Sequence, residues 1–222
     1  MNILVTGGTG FTGTGVVPAL LRAGHSLTIL CRPGSERKLP GSERITPVTG
    51  SPLNADDVAR ALRGCDAVVH LVGVRREETR KTGLGYEEVD VESARIMARA
   101  MSAAGVKRII LLSAGAIGNS RYVQCKALAE RAVIDAKLDW TIYRPSFILG
   151  PGQQWPILLE PLLAVASLLP GHLGDVARRA RSVRREELAA SMVRALENRS
   201  SIGEIYDVSR IRATGGMRGE VV

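Results

Sequence analysis

Short apolar runs of strand length alternate with segments of helical period from the first residues to about residue 150. Several of these runs are apolar throughout, as expected for parallel strands that helices cover on both faces. This repetition predicts an α/β fold with a doubly wound parallel sheet. The predicted strands are 2–6, 26–31, 45–48, 67–71, 107–113 and 141–144, and the predicted helices are 13–23, 55–63, 89–104 and 122–136.

The alternation ends after residue 150. The remaining residues contain two helical stretches, at about 155–169 and 186–198, and one predicted strand at 204–208. We therefore divide the chain into a sheet domain over residues 1–150 and a small lid region with a loose C-terminal tail over residues 151–222.

Three glycines follow the first predicted strand in the segment TGGTGFTG and lead into the first predicted helix. This context is typical of a dinucleotide site, which needs a tight turn, backbone that approaches a pyrophosphate closely, and helix N–H groups directed at the anion. Gly7, Gly10 and Gly13 meet these three needs in turn. The alternative is a glycine-rich turn that binds no ligand.

The end of the second predicted strand bears on the choice of cofactor. An NAD site places a carboxylate there to bind the ribose 2′-hydroxyl, whereas Cys31 is followed here by Arg32, with Arg37 nearby. A guanidinium pairs well with a 2′-phosphate, so the sequence favours NADP, with NAD as the alternative. A further alternative is that Arg32 is a solvated loop residue that binds no cofactor.

The net charge of +8 permits anionic partners, but much of the excess comes from one run, RRARSVRR at 178–185. Such a run is usually a solvated face. The few aromatic residues are scattered, and no zinc, helix-turn-helix or RNA-recognition pattern is visible, so we expect no nucleic-acid partner. A small-molecule substrate or a protein partner is the expectation, and the sequence leaves the oligomeric state open.

The three cysteines, Cys31, Cys65 and Cys125, are odd in number and lack a CxxC pair, which favours neither a disulfide framework nor a metal site. We expect a reducing cytoplasm. The N-terminus lacks the pattern of a signal peptide. The apolar stretch WPILLEPLLAVASLLPG contains Glu160 and Pro161 and is too interrupted for a clean membrane span, so membrane contact is not expected.

Five motifs in order, TGGTGFTG, GCDAVVHLVG, VKRIILLSAGA, YVQCK and WTIYRPSFILGPG, resemble the extended and atypical short-chain dehydrogenase/reductase (SDR) superfamily. More narrowly, the chain is similar to the NAD(P)-binding group that includes an accessory subunit of respiratory complex I and bacterial proteins called nucleoside-diphosphate-sugar epimerases. The resemblance covers residues 1 to about 152 and implies a Rossmann fold. It also implies that Phe11 and Thr12 bind cofactor with the glycines, and that Leu71, Val72 and Gly73 lie beside the adenosine ribose and the pyrophosphate.

Tyr122 and Lys126 stand four residues apart on one predicted helix, so their side chains share a face. In the SDR family, the tyrosine of this YxxxK motif exchanges a proton with a substrate oxygen while a hydride moves to or from the nicotinamide. The lysine binds the ribose and lowers the pKa of the tyrosine. A phenol with a pKa near 10 needs such a neighbouring cation to act as a base at neutral pH.

The third catalytic position departs from the family pattern. Aligning the strand and loop IILLSAGAIG places Ala114 on the usual serine or threonine, and Ser113 one residue earlier. Ser113 is a candidate replacement if the loop shifts by one residue, and the alternative is a strand-end serine bonded to backbone. Loss of this hydrogen bond slows turnover or leaves a site that only binds. His70, on the fourth strand, is expected to be a core histidine.

By the resemblance, Pro145 and Ser146 lie beside the nicotinamide, where the chain enters the substrate region. That region is short for the family, which favours a small substrate, a pocket completed by a partner, or none. The leading hypothesis is an NADP-dependent oxidoreductase acting on a small carbonyl or quinone-like substrate, with Tyr122 as acid/base. A non-catalytic NAD(P)H-binding sensor or assembly protein and a sugar-nucleotide epimerase or dehydratase are the alternatives.

Overall fold

A computed structural model describes residues 1–74, 83–115, 120–153 and 160–216 of the chain. It contains nine strands in two sheets. The strands are β1 (Asn2–Thr6), β2 (Ser26–Cys31), β3 (Ile45–Thr49), β4 (Ala67–His70), β5 (Arg108–Leu112), β6 (Asp139–Arg144), β7 (Phe147–Leu149), β8 (Ser182–Arg184) and β9 (Glu204–Asp207).

Seven strands form one parallel sheet in the order β3-β2-β1-β4-β5-β6-β9. Strands β7 and β8 form a separate parallel pair. Each of the seven predicted strands is present in the large sheet, with ends within two residues of the predicted ones. The fold is a Rossmann-type α/β sheet, which confirms the predicted fold class.

Helices cover both faces of the large sheet. Their bounds are α1 (Gly13–Arg22), α2 (Ala55–Ala61), α3 (Glu92–Ala104), α4 (Arg121–Asp135), α5 (Glu160–Ala166), α6 (His172–Ala180), α7 (Arg185–Glu197) and α8 (Val208–Gly216). A π-helical turn at Glu87–Val91 leads directly into α3. The predicted helix 89–104 thus starts inside this turn rather than as an α-helix. Residues 155–159 of the predicted helix 155–169 lie outside the described ranges, and its described part ends at Ala166.

Alternate residues of each central strand enter two different apolar layers. Ile3 and Val5 belong to the layer beneath α1 and α7, whereas Leu4 belongs to the layer beneath α2, α3 and α4. The side chains of these three residues are fully buried. This two-sided burial is the reason that the strands read as uninterrupted apolar runs.

Part of the segment beyond residue 150 belongs to the same core. Strand β9 extends the large sheet beside β6, and Leu188 and Met192 of α7 are fully buried in the layer that covers α1. Residues 182–216 thus supply a strand and core side chains in addition to any lid. The boundary at residue 150 stays a prediction. Within the described ranges, no helix combines the length and apolarity needed to cross a bilayer.

Candidate functional site

The carboxyl ends of β1 and β4 lie side by side at the position where the chain changes direction across the sheet. In open parallel sheets, ligands bind in the crevice outside this switch point. The glycine loop after β1 and residues 71–73 after β4 both lie at this edge. The topology therefore brings together two of the segments that the sequence assigns to cofactor binding.

The glycine loop is closed tightly on itself and on β4. Gly7 has a φ of 75°, and a Cβ there would lie 2.9 Å from the backbone carbonyl of Leu71. The Gly10 N–H donates to the Gly7 carbonyl at 3.0 Å, and a Cβ on Gly13 would overlap the carbonyl oxygens of Gly7 and Gly8. Side chains are therefore excluded at Gly7 and Gly13 by the protein's own backbone.

Helix α1 begins at Gly13, immediately after this loop, with Thr12 as its N-cap residue. The N–H groups of Thr14 and Gly15 donate to the carbonyls of Gly10 and Thr12, at 2.9 and 3.0 Å, and the helix dipole places partial positive charge at this end. Phe11 and Thr12 are partly exposed at this end. Gly7, Gly10, Phe11, Thr12 and Gly13 thus form one continuous turn at this edge of the sheet, and their binding of a pyrophosphate stays a prediction.

The loop after β4 lies against the glycine loop. The Leu71 N–H donates to the Thr6 carbonyl at 3.0 Å, and exposure then increases from buried Leu71 through half-buried Val72 to exposed Gly73. Gly73 faces a buried ion pair, because a Cβ there would lie 3.1 Å from the Lys126 Nζ. One short loop thus connects the end of β4 to the Asp90–Lys126 pair.

Arg32 and Arg37 lie on the exposed loop that follows β2. The Arg37 Nε donates to the Gly34 carbonyl at 2.9 Å, which holds that side chain in its own turn. Glu36, which the sequence analysis passed over, lies close enough to Cys31 for its charge to add to burial in raising the pKa of that thiol. The loop therefore offers both a cation and a carboxylate near the end of β2.

Tyr122 and Lys126 share one face of α4, as predicted, and the Lys126 Nζ lies 5.9 Å from the centre of the Tyr122 ring. Lys126 is buried. Its Nζ forms an ion pair with Asp90 Oδ1 at 2.5 Å and donates to the Leu112 carbonyl, at the end of β5, at 3.4 Å. The amine is therefore held at the carboxyl edge of the sheet, where β4 and β5 end.

Burial raises the pKa of Tyr122 above its usual value. The Lys126 charge opposes this effect, and Asp90 and Tyr86 add to it. The Tyr86 ring meets the Tyr122 ring edge-on, with 5.1 Å between centroids. The phenol is therefore protonated at neutral pH, which suits a proton donor better than a base.

Ser113 is buried and its hydroxyl donates to Glu130, one helical turn beyond Lys126 on α4. Arg144 binds both oxygens of the same carboxylate, at 2.9 and 2.5 Å. The hydroxyl is thus part of a hydrogen-bond network that joins the end of β5 to α4 and β6. Its partner is a side chain, whereas the sequence alternative was backbone. A catalytic role for Ser113 stays a prediction, and Ala114 beside it is half-buried.

Pro145 and Ser146 connect the end of β6 to neighbouring segments. The Pro145 carbonyl accepts the Gly115 N–H at 2.8 Å, and the Ser146 hydroxyl donates to the carbonyl of Arg179. Both residues thus lie next to the loop after β5, on the same side as Ser113. Their cofactor contacts stay a prediction.

The C-terminal part reaches the glycine loop through Arg185, the first residue of α7. Its guanidinium donates to the Thr14 hydroxyl at 3.0 Å and lies 5.7 Å from the centre of the Phe11 ring. The basic run is in part internally paired, since Arg178 pairs with Asp175 and Arg181 with Glu160. The sequence gives no sign of this contact, because Arg185 and Thr14 are 171 residues apart.

Asp90 is the second residue that the sequence analysis missed. The spacing of the sequence could have identified it, because Asp90 falls at helical spacing with three apolar residues. All four are buried: Asp90, Ala94, Met97 and Met101. A carboxylate on the apolar face of a helix needs a buried partner. His70 is a core histidine as expected: Nδ1 meets the Thr6 hydroxyl at 2.9 Å, Nε2 meets the Ser93 hydroxyl at 3.2 Å, and it is buried.

The fold and the site define an NAD(P)-binding Rossmann protein of the short-chain dehydrogenase/reductase type, as the sequence motifs indicated. The chain belongs to the NAD(P)H-binding family, whose pattern matches residues 7–199.

Three similar proteins support this assignment. The ceramide reductase of Caulobacter vibrioides is 29% identical over 96% of this chain and 66% of its own length. Subunit 9 of the NADH dehydrogenase [ubiquinone] 1 alpha subcomplex, from Arabidopsis thaliana mitochondria, is 29% identical over 92% of this chain and 52% of its own length. The dTDP-glucose 4,6-dehydratase DesIV of Streptomyces venezuelae, solved with NAD bound, is 25% identical with a TM-score of 0.70, over 94% of this chain and 75% of that one. The chain thus spans about half to two thirds of the length of these two curated relatives.

Proposed function

We propose that the chain is an NADP-dependent oxidoreductase that reduces a small carbonyl or quinone-like substrate. The observation that carries this proposal is the placement of Tyr122 and Lys126 at the sheet edge that also holds the glycine cradle. A similar chain is named a reductase, which supports the same reaction class.

The residues divide the reaction between them. When bound, the cofactor supplies the hydride that reduces the substrate carbon. Gly7, Gly10 and Gly13 would hold its pyrophosphate, and Lys126 would hold the nicotinamide ribose through a hydrogen bond from its amine. Tyr122 donates its phenolic proton to the substrate oxygen, so that a carbonyl becomes a hydroxyl.

The preference for NADP rests on the loop after β2. Arg32 is exposed there, and neither a hydrogen bond nor an ion pair engages its guanidinium among the described residues. A free guanidinium at this place suits a 2′-phosphate. Glu36 on the same loop is the counterargument, since a carboxylate suits the free ribose hydroxyl of NAD.

The proposal predicts a specific effect of Tyr122→Phe. NADPH consumption is followed by absorbance with a panel of aldehydes, ketones and quinones. Removal of the phenolic hydroxyl should lower kcat by about 10²–10⁴-fold, because the proton donor is lost, with NADPH affinity unchanged. Tyr206→Phe removes a hydroxyl from β9 and is the matched control, with activity retained. Equal turnover in Tyr122→Phe and the unaltered protein contradicts the assigned role.

A non-catalytic NAD(P)H-binding protein is the second candidate. Two observations favour it. The Ser113 hydroxyl donates its hydrogen bond to Glu130, and Ala114 stands at the usual position of the catalytic hydroxyl. The similar complex I subunit is named as part of a larger assembly. Tight NADPH binding without turnover on the whole panel supports this candidate over the first.

We place the protein in a reducing cytoplasm. Cys31, Cys65 and Cys125 are all free and buried, and burial raises the pKa of each thiol, so none is suited to disulfide exchange. Fractionation of the native cells tests this location, and recovery in a membrane or secreted fraction contradicts it.

A further inference from the structure

The π-helical turn before α3 is fastened to the first half of α4 by three side-chain pairs. The Tyr86 ring, immediately before the turn, contacts the Tyr122 ring. Glu87 forms an ion pair with Arg121. Asp90 pairs with Lys126 at 2.5 Å. Such turns occur frequently at functional sites. Here Lys126 of the YxxxK motif contacts the turn itself, and Tyr122 contacts the residue that precedes it.

The Asp90–Lys126 pair is the only one of these in which both side chains are nearly inaccessible to solvent, with 0% and 8% exposure. The Val74 N–H donates to Asp90 Oδ2 at 3.3 Å, and a Cβ on Gly73 would lie 3.2 Å from Oδ1. A buried carboxylate without a partner is costly, so the pair fixes both groups. The close approach of Gly73 leaves no space for another side chain.

Lys126 keeps capacity for a ligand in this arrangement. An ammonium group has three donors, and Asp90 and the Leu112 carbonyl accept two of them among the described residues. The third is left for a ribose hydroxyl. Asp90 therefore orients the amine and leaves one of its donors available. The negative charge of Asp90 also lies beside the positive charge of Lys126, and the two act on the pKa of Tyr122 in opposite directions.

We propose that Asp90 is a positioning residue that fixes Lys126 and offsets its charge at Tyr122, so that the tyrosine keeps its proton and serves as a donor in reduction. The donor role rests on the proposed function. The charge effect on Tyr122 does not, because it follows from the contacts of the free protein.

The groups around Tyr122 are consistent with this assignment. The charges that act on Tyr122 are those of Lys126, from its own helix, and of Asp90, from the π-helical turn, while the Tyr86 ring lies against it. Arg121 and Glu87, the other charged pair between the two elements, bind each other. The pKa of Tyr122 is raised by burial first, lowered by Lys126, and raised again by Asp90 and Tyr86. His70, on β4, is neutral because its burial and the Lys126 charge lower its pKa to about 3.

The test is an ultraviolet titration of tyrosinate in Asp90→Asn, with Tyr122→Phe in each background as the blank. Asparagine keeps the shape and the acceptor for the Val74 N–H but removes the charge. We expect the pKa of Tyr122 to fall by about one pH unit, because the Lys126 charge is no longer offset. Glu87→Gln is the matched control, since it removes a carboxylate of the same turn that is 54% exposed, and a much smaller change is expected.

An unchanged Tyr122 titration in folded Asp90→Asn overturns the proposal. If that variant does not fold because Lys126 lacks its partner, Lys126→Met is measured instead. An unpaired buried Asp90 takes up a proton, so the pair and its replacement are both neutral, and the pKa of Tyr122 should be nearly unchanged. A rise of about one pH unit would mean that the Lys126 charge is not offset, and would overturn the proposal. The titration needs neither cofactor nor substrate, so a protein without turnover whose Tyr122 responds to Asp90 contradicts the proposed function and leaves the charge effect in place.

Discussion

Arg32 is the residue on which the cofactor preference depends. It is exposed at the end of β2, where a 2′-phosphate would lie in a dinucleotide bound at the switch point. Its neighbour Arg37 is bonded to the Gly34 carbonyl and is less available. The two guanidiniums therefore differ in what they can offer a ligand, although the sequence alone treats them alike.

Arg32→Ala should weaken NADPH binding by about 1–3 kcal/mol, because a charge-assisted contact is lost, and leave NADH binding nearly unchanged. Calorimetric titration with both dinucleotides measures the difference. Glu36→Gln is the control from the same loop, with no loss of NADPH affinity expected. Equal losses for both dinucleotides in Arg32→Ala, or a loss of NADH affinity in Glu36→Gln, contradict the 2′-phosphate assignment.

His70 predicts a dependence of stability on pH. Burial and the Lys126 charge lower its pKa to about 3 in the folded protein, against about 6.5 in an unfolded chain. Between these values, the unfolded chain binds a proton that the folded protein does not. The contribution of His70 to stability is therefore complete above pH of about 6.5 and is lost as pH falls toward about 3.

Denaturant unfolding at several pH values measures this contribution. We expect His70→Gln to lose less stability than the unaltered protein between neutral and acidic pH, because glutamine does not titrate. The variant is destabilised at neutral pH by its altered contacts with Thr6 and Ser93, so the comparison concerns slopes. Parallel stability curves for the two proteins would show that His70 does not cause the acid sensitivity.

At the scale of elements, much of this molecule can be predicted from its sequence. Apolar runs define the strands because helices bury both faces of the sheet, and the spacing of Tyr122 and Lys126 places both on one face of α4. The π-helical turn could not be predicted, because its pattern differs from an α-helix by one residue and it is set by packing on α4. The partner of Ser113, Glu130, is equally hidden in sequence, since the pairing depends on how β5 lies against α4.

Helix α7 shows the same limit for the C-terminal part. Its predicted bounds are nearly correct, but periodicity alone does not reveal that its apolar face packs on α1 rather than on a separate lid. Leu188 is fully buried in that layer, whereas Leu168, in the segment between α5 and α6, is 83% exposed. These two leucines therefore distinguish integration into the core from a peripheral position.

Leu188→Ala should lower the free energy of unfolding by about 2–5 kcal/mol, because it leaves a cavity in the shared core. Leu168→Ala, the matched control, should change it by less than about 0.5 kcal/mol. Denaturant unfolding followed by circular dichroism measures both. If Leu188→Ala instead unfolds α7 alone, with the sheet unaffected, the C-terminal part is an independent unit.

At the scale of the whole molecule, three distant stretches of chain converge on one edge of the sheet. The glycine loop comes from the N-terminus, the YxxxK motif from the middle, and Arg185 from the C-terminal part that covers Phe11 and Thr14. A cofactor bound at this edge would therefore contact elements from both ends of the chain. Such a ligand binds only the folded state and stabilises it in proportion to its affinity.

Calorimetric titration of the purified protein with NADPH and with NADH tests the central claim most directly, after mass spectrometry has established whether a dinucleotide is already bound. The glycine loop after β1 and the exposed Arg32 predict that both bind at one site per chain and that NADPH binds more tightly. Absence of binding by either dinucleotide, or tighter binding of NADH, would contradict an NADP-dependent oxidoreductase.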